Sequence, residues 1–417
     1  MLSVGVLIDL LWQPQAGGHV KCWERFAEAA ADLEDANLDL TLHFLGEQAQ
    51  TIELSERVRY VLHRPLFDTA RIPFLQGVAD RTDLAPISFS LLPSLKQYDV
   101  VHATHPLFAF GKTALHYARW RKVPLVASIH TDVPAYTEIY TAQILQRLLG
   151  EGWVSRWLID RWQFPQQRRA AMGKQLRHYW QHCDRVLASQ PADYQQVVQL
   201  ISAERAGYLR RGIDLRLFQP HLRDRDRLQQ TYGLDPDTFV LLFVGRLDPC
   251  KRVSIVAEAT RLLRDRGLPV RALFVGKGNS AAEIQALLGS TAILAGTIPH
   301  DELGWIYASA DAFVFPSDTE TYGNVVLEAK ACGTPVLVAN RGGAAQLVKQ
   351  PGWDGLRLDS NRPADWADDL LPLIEHPEKR QAMGQAARQQ IDEEWPSWQQ
   401  VLQRDLLPVW RAVANQK

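Results

Sequence analysis

Short apolar runs alternate along this chain with longer amphipathic segments, and the alternation forms two sets. The first set falls at 4–10, 40–44, 58–62, 98–103, 125–129 and 184–188. The second falls at 239–244, 271–275, 292–294, 312–315, 335–338 and 355–358. Each run is rich in Val, Leu and Ile, and the next lies beyond a helix-length stretch. Continuous apolar character predicts strands covered on both faces, the condition of a parallel sheet between helices. Two sets predict two doubly wound α/β domains, over 1–212 and 213–394, with the hinge at 212–220.

Composition narrows this picture. A chain of 417 residues is longer than one ordinary core accommodates and suits two domains. A net charge of −1 gives no electrostatic reason for a nucleic-acid partner. Cys22, Cys183, Cys250 and Cys332 are scattered, with no C-x-x-C. They read as free thiols in a reducing compartment, which places the protein in the cytoplasm. The opening residues MLSVGVLIDLLW lack a basic flank and a small-residue cleavage site, so they read as a first strand and not a signal peptide. No apolar run approaches the ~20 residues of a membrane span.

The candidate chemistry concentrates at 315–343, FPSDTETYGNVVLEAKACGTPVLVANRGG. An apolar strand ends at Pro316, and a polar turn then delivers Glu320. Tyr322, Gly323 and Asn324 open a helix bearing Glu328, and a second strand and a Gly-Gly turn close the unit. Helix starts hold phosphate through free N–H groups and the helix dipole. Neither carboxylate has a basic neighbour at helical spacing, so both are expected to be free to accept hydrogen bonds from hydroxyls. Phosphate donors beside hydroxyl acceptors suggest a sugar nucleotide.

Three further places carry weight. Gly17 and Gly18 follow the first strand and precede a helix, where a glycine pair lets backbone approach a ligand. Arg246 and Lys251 lie five apart across a strand-to-helix turn, so both can face a diphosphate above the strand's end; the bland alternative is two solvated cations. His130 ends a buried strand, at the edge where α/β sheets bind ligands, although a lone histidine is more often structural. No D-x-D-like pair at a strand end and no His/carboxylate cluster points to a metal, so none is expected.

Glu320-x7-Glu328, set in E-T-Y-G-N-V-V-L-E-A-K-A-C-G-T-P-V and followed by N-R-G-G, resembles the signature of the family 4 retaining glycosyltransferases. These have the GT-B fold, two Rossmann-like domains facing a cleft. The resemblance covers nearly the whole chain, strongest over 245–343 and weakest over 44–99 and 143–182. It implies that Arg246 and Lys251 hold the donor diphosphate, with the amides of Gly17 and Gly18 facing it. Glu328 would hold the ribose and Glu320 would face the sugar. The amides of Tyr322, Gly323 and Asn324 would bind sugar hydroxyls and phosphate, and the main chain of Ile298 would pair with the base. In Gly276-Lys277-Gly278, Lys277 replaces the more usual acidic residue, which puts its contact in doubt. The segment 211–220 resembles the family's R-G-I-D…F-x-P linker. A terminal helix over 395–417 is expected to cross back to the first domain, with Trp395, Trp398 and Trp410 as anchors.

The run H-T-D-V-P-A-Y, from His130 to Tyr136, is similar to the H-T-x-x-P-x-Y of lipid- and mannan-directed members, the sulfoquinovosyl, mannosyl and glucosyl transferases. It implies that His130 contacts the transferred sugar near its 6-hydroxyl, with Asp132 and Tyr136 on the acceptor side. The implied activity is retaining, metal-independent transfer of a hexose from a nucleoside-diphosphate sugar, a UDP-sugar favoured, by front-side displacement and without a cofactor. The leading acceptor is a membrane glycerolipid or glycolipid, and the second a polysaccharide or small soluble molecule. A non-catalytic sugar-nucleotide-binding subunit is the rival of another class, against which the intact His130, Arg246, Lys251, Glu320 and Glu328 argue. A same-fold epimerase ranks below it, as does a phosphorylase, which would want a cofactor lysine and a much longer chain.

The segment 153–180 bears on the acceptor. Trp153, Trp157, Trp162 and Trp180 are interleaved with Arg156, Arg161, Arg168, Arg169, Lys174 and Arg177, opposed only by Asp160. Such a mixture suits peripheral contact with the cytoplasmic face of a membrane, indoles at the headgroups and cations on anionic lipid. It suits equally an amphipathic helix whose tryptophans pack inward beneath a solvated basic face.

Overall fold

A computed structural model describes residues 1–13, 16–33, 37–72, 81–150 and 152–416. The chain divides into two compact units, Met1–Gly212 with Trp398–Lys417, and Ile213–Ser397.

The first unit is built on β1 (Leu2–Leu11), β2 (Leu38–Leu45), β3 (Gln50–Glu53), β4 (Val58–His63), β5 (Val100–Ala103), β6 (Leu125–Ser128), β7 (Arg185–Ala188) and β8 (Ala206–Tyr208). Their order across the sheet is β3-β4-β2-β1-β5-β6-β7-β8, parallel except for β3 against β4. Successive residues of β1 serve opposite faces. Val4, Val6, Ile8 and Leu10 enter one core with Trp23 and Phe26, while Leu7 and Leu11 enter the other with Phe110 and Tyr117. The sequence pattern missed β3 and β8. Both are edge strands, whose Q-T-I-E and A-G-Y carry little apolar signal because one side faces away from the sheet.

The second unit holds β9 (Phe239–Val244), β10 (Val270–Val275), β11 (Ala292–Gly296), β12 (Ala312–Phe315), β13 (Val336–Ala339) and β14 (Leu356–Leu358), all parallel, in the order β11-β10-β9-β12-β13-β14. Every residue of β9 is buried, as its unbroken F-V-L-L-F-V requires of a central strand with helices on both faces. The helix Val253–Asp265 buries Val253, Val256, Ala257, Thr260 and Leu263, a stripe at three- and four-residue spacing.

The terminal segment departs from expectation. The helix Pro377–Glu394 ends at Trp395, which packs on the second unit's core. Helix resumes only at Trp398, so Trp398 and Trp410 anchor to the first unit and Trp395 does not. The first-unit contact is close: a Cβ on Gly212 would lie 2.5 Å from the Trp398 nitrogen. All four cysteines are buried free thiols.

Candidate active site

In an open α/β sheet the ligand crevice lies at the carboxyl ends of the strands, where the strand order reverses. In the second unit that reversal is between β9 and β12, and the loops leaving these strands carry Arg246, Lys251 and Glu320. Gly245 turns out of β9 at φ 150°. The adjacent β10 ends in Gly276 at φ 135°, where a Cβ would come within 1.9 Å of the Gly245 oxygen. Glycine is the residue that lets these two loops pass. They are laced by Gly245 N–H to Val275 O (2.9 Å) and Leu247 N–H to Lys277 O (3.0 Å), and Gly276 N–H reaches Gly296 O of β11 (2.7 Å). Lys277 itself is exposed.

The loops after β9 and β12 are stitched together by polar side chains. Lys251 Nζ is paired with Glu320 Oε1, Arg252 Nη2 lies 2.6 Å from Asp318 Oδ2, and Thr319 Oγ1 donates to Cys250 O at 3.3 Å. Arg246 Nη1 sits 3.3 Å from Asp248 Oδ2. Arg246, Lys251, Asp248 and Glu320 all act on the Cys250 thiol, which burial holds above its ordinary pKa. Arg246 Nη2 also lies 4.0 Å from the Cys250 Sγ, and Lys251 is the next residue, so both cations stand at this turn. From behind, Gly343 N–H donates to Glu320 O at 2.7 Å. A Cβ on Gly343 would fall 2.3 Å from Thr321 O, so the Gly-Gly turn at 342–343 supports the loop that carries Glu320.

The helix Asn324–Ala331 starts behind Gly323, which takes φ 88° as its cap. Tyr322 packs partly against the second unit's core. The side-chain oxygen of Asn324 is buried without a hydrogen-bond partner, an acceptor the motif alone did not single out. Glu328 is buried on this helix. Its Oε1 lies 2.8 Å from His300 Nε2, and its Oε2 accepts from Tyr307 Oη at 2.9 Å. Ile298 precedes His300 in the loop after β11 and is half-buried against the core.

These contacts correct one expectation. The carboxylates are not free: Glu320 has Lys251 and Glu328 has His300 and Tyr307. Helical spacing shows only neighbours on one helix, whereas Lys251 and His300 arrive from other strand-end loops, 69 and 28 residues away, and Tyr307 from the helix Leu303–Ser309. His300 and Tyr307 are thus site residues that the sequence reading missed, although His300 stands two residues after Ile298.

In the first unit the strand order reverses between β1 and β5. Gly17 and Gly18 follow β1. Gly17 is extended (φ −66°, ψ 171°), and a Cβ on Gly18 would meet nothing within 4 Å. Protein packing does not require glycine at Gly18. His130, just beyond β6, is buried. Trp23 Nε1 donates to its Nε2 at 3.2 Å, Ser128 Oγ lies 2.8 Å from the same nitrogen, and Arg211 Nη2 is 2.9 Å from its Nδ1. His19 stacks on it at 4.2 Å. Burial, and then His19 and Arg211, hold His130 well below an ordinary histidine pKa, so the ring is neutral. Asp132 caps the helix Val133–Leu149, accepting from Ala135 N–H at 3.0 Å, and Tyr136 stacks on Tyr140 one turn along.

The tryptophans of 153–180 divide. Trp180 is 6% exposed and belongs to a core with Leu176 and Tyr179, whereas Trp153, Trp157 and Trp162 are 79%, 50% and 49% exposed. Pro165 lies in the first turn of the helix Phe164–Gln181, and Arg168, Arg169, Lys174 and Arg177 are exposed along it. The helix Val133–Leu149 has no fully buried residue despite its apolar sequence, and Leu148 and Leu149 at its end are exposed. Among the described residues no helix is long and apolar enough to cross a membrane.

The family Glycosyl transferases group 1 matches residues 224–390, and Glycosyltransferase Family 4 matches residues 22–217. A D-inositol 3-phosphate glycosyltransferase of Catenulispora acidiphila is 31% identical over 98% of this chain and 95% of its own length. A sulfoquinovosyl transferase of Arabidopsis thaliana is 29% identical over 77% of this chain, which spans 58% of that protein. Among solved structures, sucrose-phosphate synthase from Thermosynechococcus elongatus superposes with a TM-score of 0.71 over the full length of both chains, at 18% identity, a likeness of fold. The chain belongs to the group 1 glycosyltransferases, with a family 4 amino-terminal domain, and its two parallel-sheet units have the GT-B fold.

Proposed function

We propose that the protein transfers a hexose from a nucleoside-diphosphate sugar, a UDP-sugar, to a hydroxyl of a membrane glycerolipid or glycolipid, with retention and without a metal. The observation that carries the transfer is the gathering of Arg246, Lys251 and Glu320 at the strand reversal of the second unit, with buried Glu328 beyond them. The leaving group is a nucleoside diphosphate dianion, and the two cations after β9 are placed to stabilise its charge as it departs. Glu328, oriented by His300 and Tyr307, takes the ribose hydroxyls. Glu320 and the unpartnered side-chain oxygen of Asn324 accept from sugar hydroxyls, and the amides of Tyr322, Gly323 and Asn324 take sugar hydroxyls and phosphate. Ile298 meets the base, Gly17 and Gly18 the diphosphate, and His130 the sugar near its 6-hydroxyl, with Asp132 and Tyr136 toward the acceptor. The leaving phosphate oxygen receives the acceptor proton, which assigns no side chain to the role of base.

A lipid acceptor is supported by the exposed Trp153, Trp157 and Trp162 beside the exposed cations of the helix Phe164–Gln181. Indoles at headgroup depth and arginines on anionic lipid would hold the protein peripherally on the cytoplasmic face. The deciding experiment incubates the protein with a panel of nucleotide sugars, with diacylglycerol vesicles or soluble glycans, and follows nucleoside diphosphate release and product anomer by NMR. An α-linked glycolipid from an α-linked donor is the expected product. Turnover only with soluble acceptors would remove the lipid assignment, and an inverted anomer the retaining one.

A further inference from the structure

The second unit has a groove on the edge of its sheet opposite the candidate active site. It encloses about 690 Å³, within the range of small-molecule sites. Ala310 and Asp311, at the amino end of β12, and Pro335, at the amino end of β13, line it, whereas Arg246, Lys251 and Glu320 follow carboxyl ends. The length of β12, about 13 Å, separates the two edges. Charge in the groove is unbalanced. Asp311 is buried and surrounded by three guanidiniums, Arg225 at 3.0 Å, Arg223 at 3.5 Å and Arg380 at 3.7 Å. Its Oδ2 is satisfied by Arg225 and by the Val240 N–H at 2.8 Å. The contacts of Arg223 and Arg380 to Oδ1 are longer than hydrogen bonds. Arg223 commits Nη1 to the carbonyls of Ala308 and Ala310, and Arg380 commits Nη1 to that of Leu373. Their Nε and Nη2 groups donate no hydrogen bond among the described residues. Three positive charges against one leave a surplus of two. Asp392 is taken up by Arg388, and Glu393 lies at the other end of the helix from Arg380, about 20 Å along its axis.

We propose that this groove is a second ligand site of the protein, for a phosphate monoester bearing hydroxyls, and that its occupancy is felt at Glu328. A phosphate monoester at neutral pH carries roughly 1.5 to 2 negative charges and three acceptor oxygens. The charge matches the surplus, and the oxygens suit the open forks of Arg223 and Arg380. Gln381 and Gln385, exposed one turn apart on the helix Pro377–Glu394, line the groove beside Arg380 and present amides to the hydroxyls. The coupling follows from what the arginines already hold. Arg223 Nη1 donates at 3.1 Å to Ala308 O, in the last turn of the helix Leu303–Ser309 that carries Tyr307. Arg388 Nη1 donates at 2.7 Å to the oxygen of Ala331, the last residue of the helix that carries Glu328, and at 3.4 Å to Phe218 O. The Phe218 ring meets His300 and Tyr307 edge-on, at 5.2 and 5.9 Å. The wall of the groove is thus made of the elements that orient Glu328, and a ligand that recruits Arg223 changes what holds them. The site itself is independent of the glycosyl-transfer reading; only the coupling, read as donor affinity, rests on it.

Isothermal titration of the full chain with glucose 6-phosphate tests the site. Wild type and Lys251→Met should bind it alike, because the groove is remote from the turn that carries Lys251. Arg380→Gln should weaken it by at least about tenfold, as should Gln381→Glu/Gln385→Glu, which sets two carboxylates on the rim without touching Asp311. If Arg380→Gln lowers Tm, the glutamate pair at exposed positions decides. Inorganic phosphate should bind more weakly than the ester, and glucose not at all. Absence of saturable binding overturns the proposal, as does glucose binding as well as its phosphate. Binding lost in Lys251→Met but kept in both groove variants would assign the ligand to the donor site and likewise overturn it. Inorganic phosphate binding as tightly as the ester overturns the hydroxyl contacts. The coupling is read with UDP. Its Kd should change about fivefold or more on saturation with glucose 6-phosphate, and the Kd for glucose 6-phosphate should change by the same factor on saturation with UDP. Gln381→Glu/Gln385→Glu should keep the basal UDP Kd and lose the response. An unchanged UDP Kd in wild type overturns the coupling. A protein that binds glucose 6-phosphate in the groove and binds no nucleotide would instead sink the glycosyl-transfer reading, and the coupling with it, and leave the groove site standing.

Discussion

Lys251→Met removes the ammonium from Glu320 and is expected to do two separable things. The Lys251–Glu320 pair is mostly covered, with side chains 10% and 21% exposed. It lies between surface pairs, worth at most ~1 kcal/mol, and buried pairs, whose breakage costs ~3–5 kcal/mol. About 2 kcal/mol of stability should be lost, a fall of roughly 4–8 °C in Tm for a unit of this size. Catalysis should fall further. A charge-assisted contact to the departing diphosphate contributes about 2–4 kcal/mol in the transition state, or roughly 30- to 1000-fold in kcat/KM. The double variant Lys251→Met/Glu320→Gln separates the effects. Neutralising both partners should recover most of the Tm, since no unpaired carboxylate is left, while nucleoside diphosphate release stays slow. Two results would refute the reasoning. Near-normal turnover in Lys251→Met would remove Lys251 from the leaving-group site. A double variant no slower than Glu320→Gln alone would leave Lys251 as a support for Glu320 and nothing more.

Glu328→Gln should raise the donor KM more than it lowers kcat, because a ribose contact is alike in ground and transition states; steady-state kinetics showing the loss in kcat alone would contradict the assignment. Transfer should continue in excess chelator, and a strict divalent-ion requirement in single-turnover assays would end the metal-free proposal. Stability should fall on acidification between pH 6.5 and about 4. Burial lowers His63 from 6.5 to about 4, so in this window the unfolded chain binds the proton that the folded one refuses. That linkage is present above pH 6.5, is lost as pH falls through 4, and is worth ~3 kcal/mol. Urea midpoints should show it, with a flatter profile in His63→Gln; an unchanged slope would deny it. The protein should co-sediment with anionic but not zwitterionic vesicles, at about 1 kcal/mol per engaged Lys or Arg. Glu at 168, 169, 174 and 177 should release it, as should Ala at Trp153, Trp157 and Trp162. Trp180→Ala should instead cost ~3–5 kcal/mol of stability, and a wild type that never pellets would remove the membrane contact.

The sequence by itself determined what is local. Unbroken apolar runs such as 239–244 gave central strands because burial on both faces leaves no room for polar alternation. Glu320 and Glu328 could be placed on a loop and a following helix because a proline, a glycine and a helical stretch are properties of neighbouring residues. Tertiary structure decided everything that depends on what covers a residue. One tryptophan of 153–180 fills a core and three stand outside it, though their sequence surroundings are alike. The partners of Glu320 and Glu328 come from separate elements, Lys251 and His300 from strand-end loops and Tyr307 from a helix, and the indole that donates to His102 lies 308 residues away. Periodicity records which face of an element is buried. It carries no record of which distant side chain meets that face, and at this protein's sites the meeting residue fixes charge and exposure.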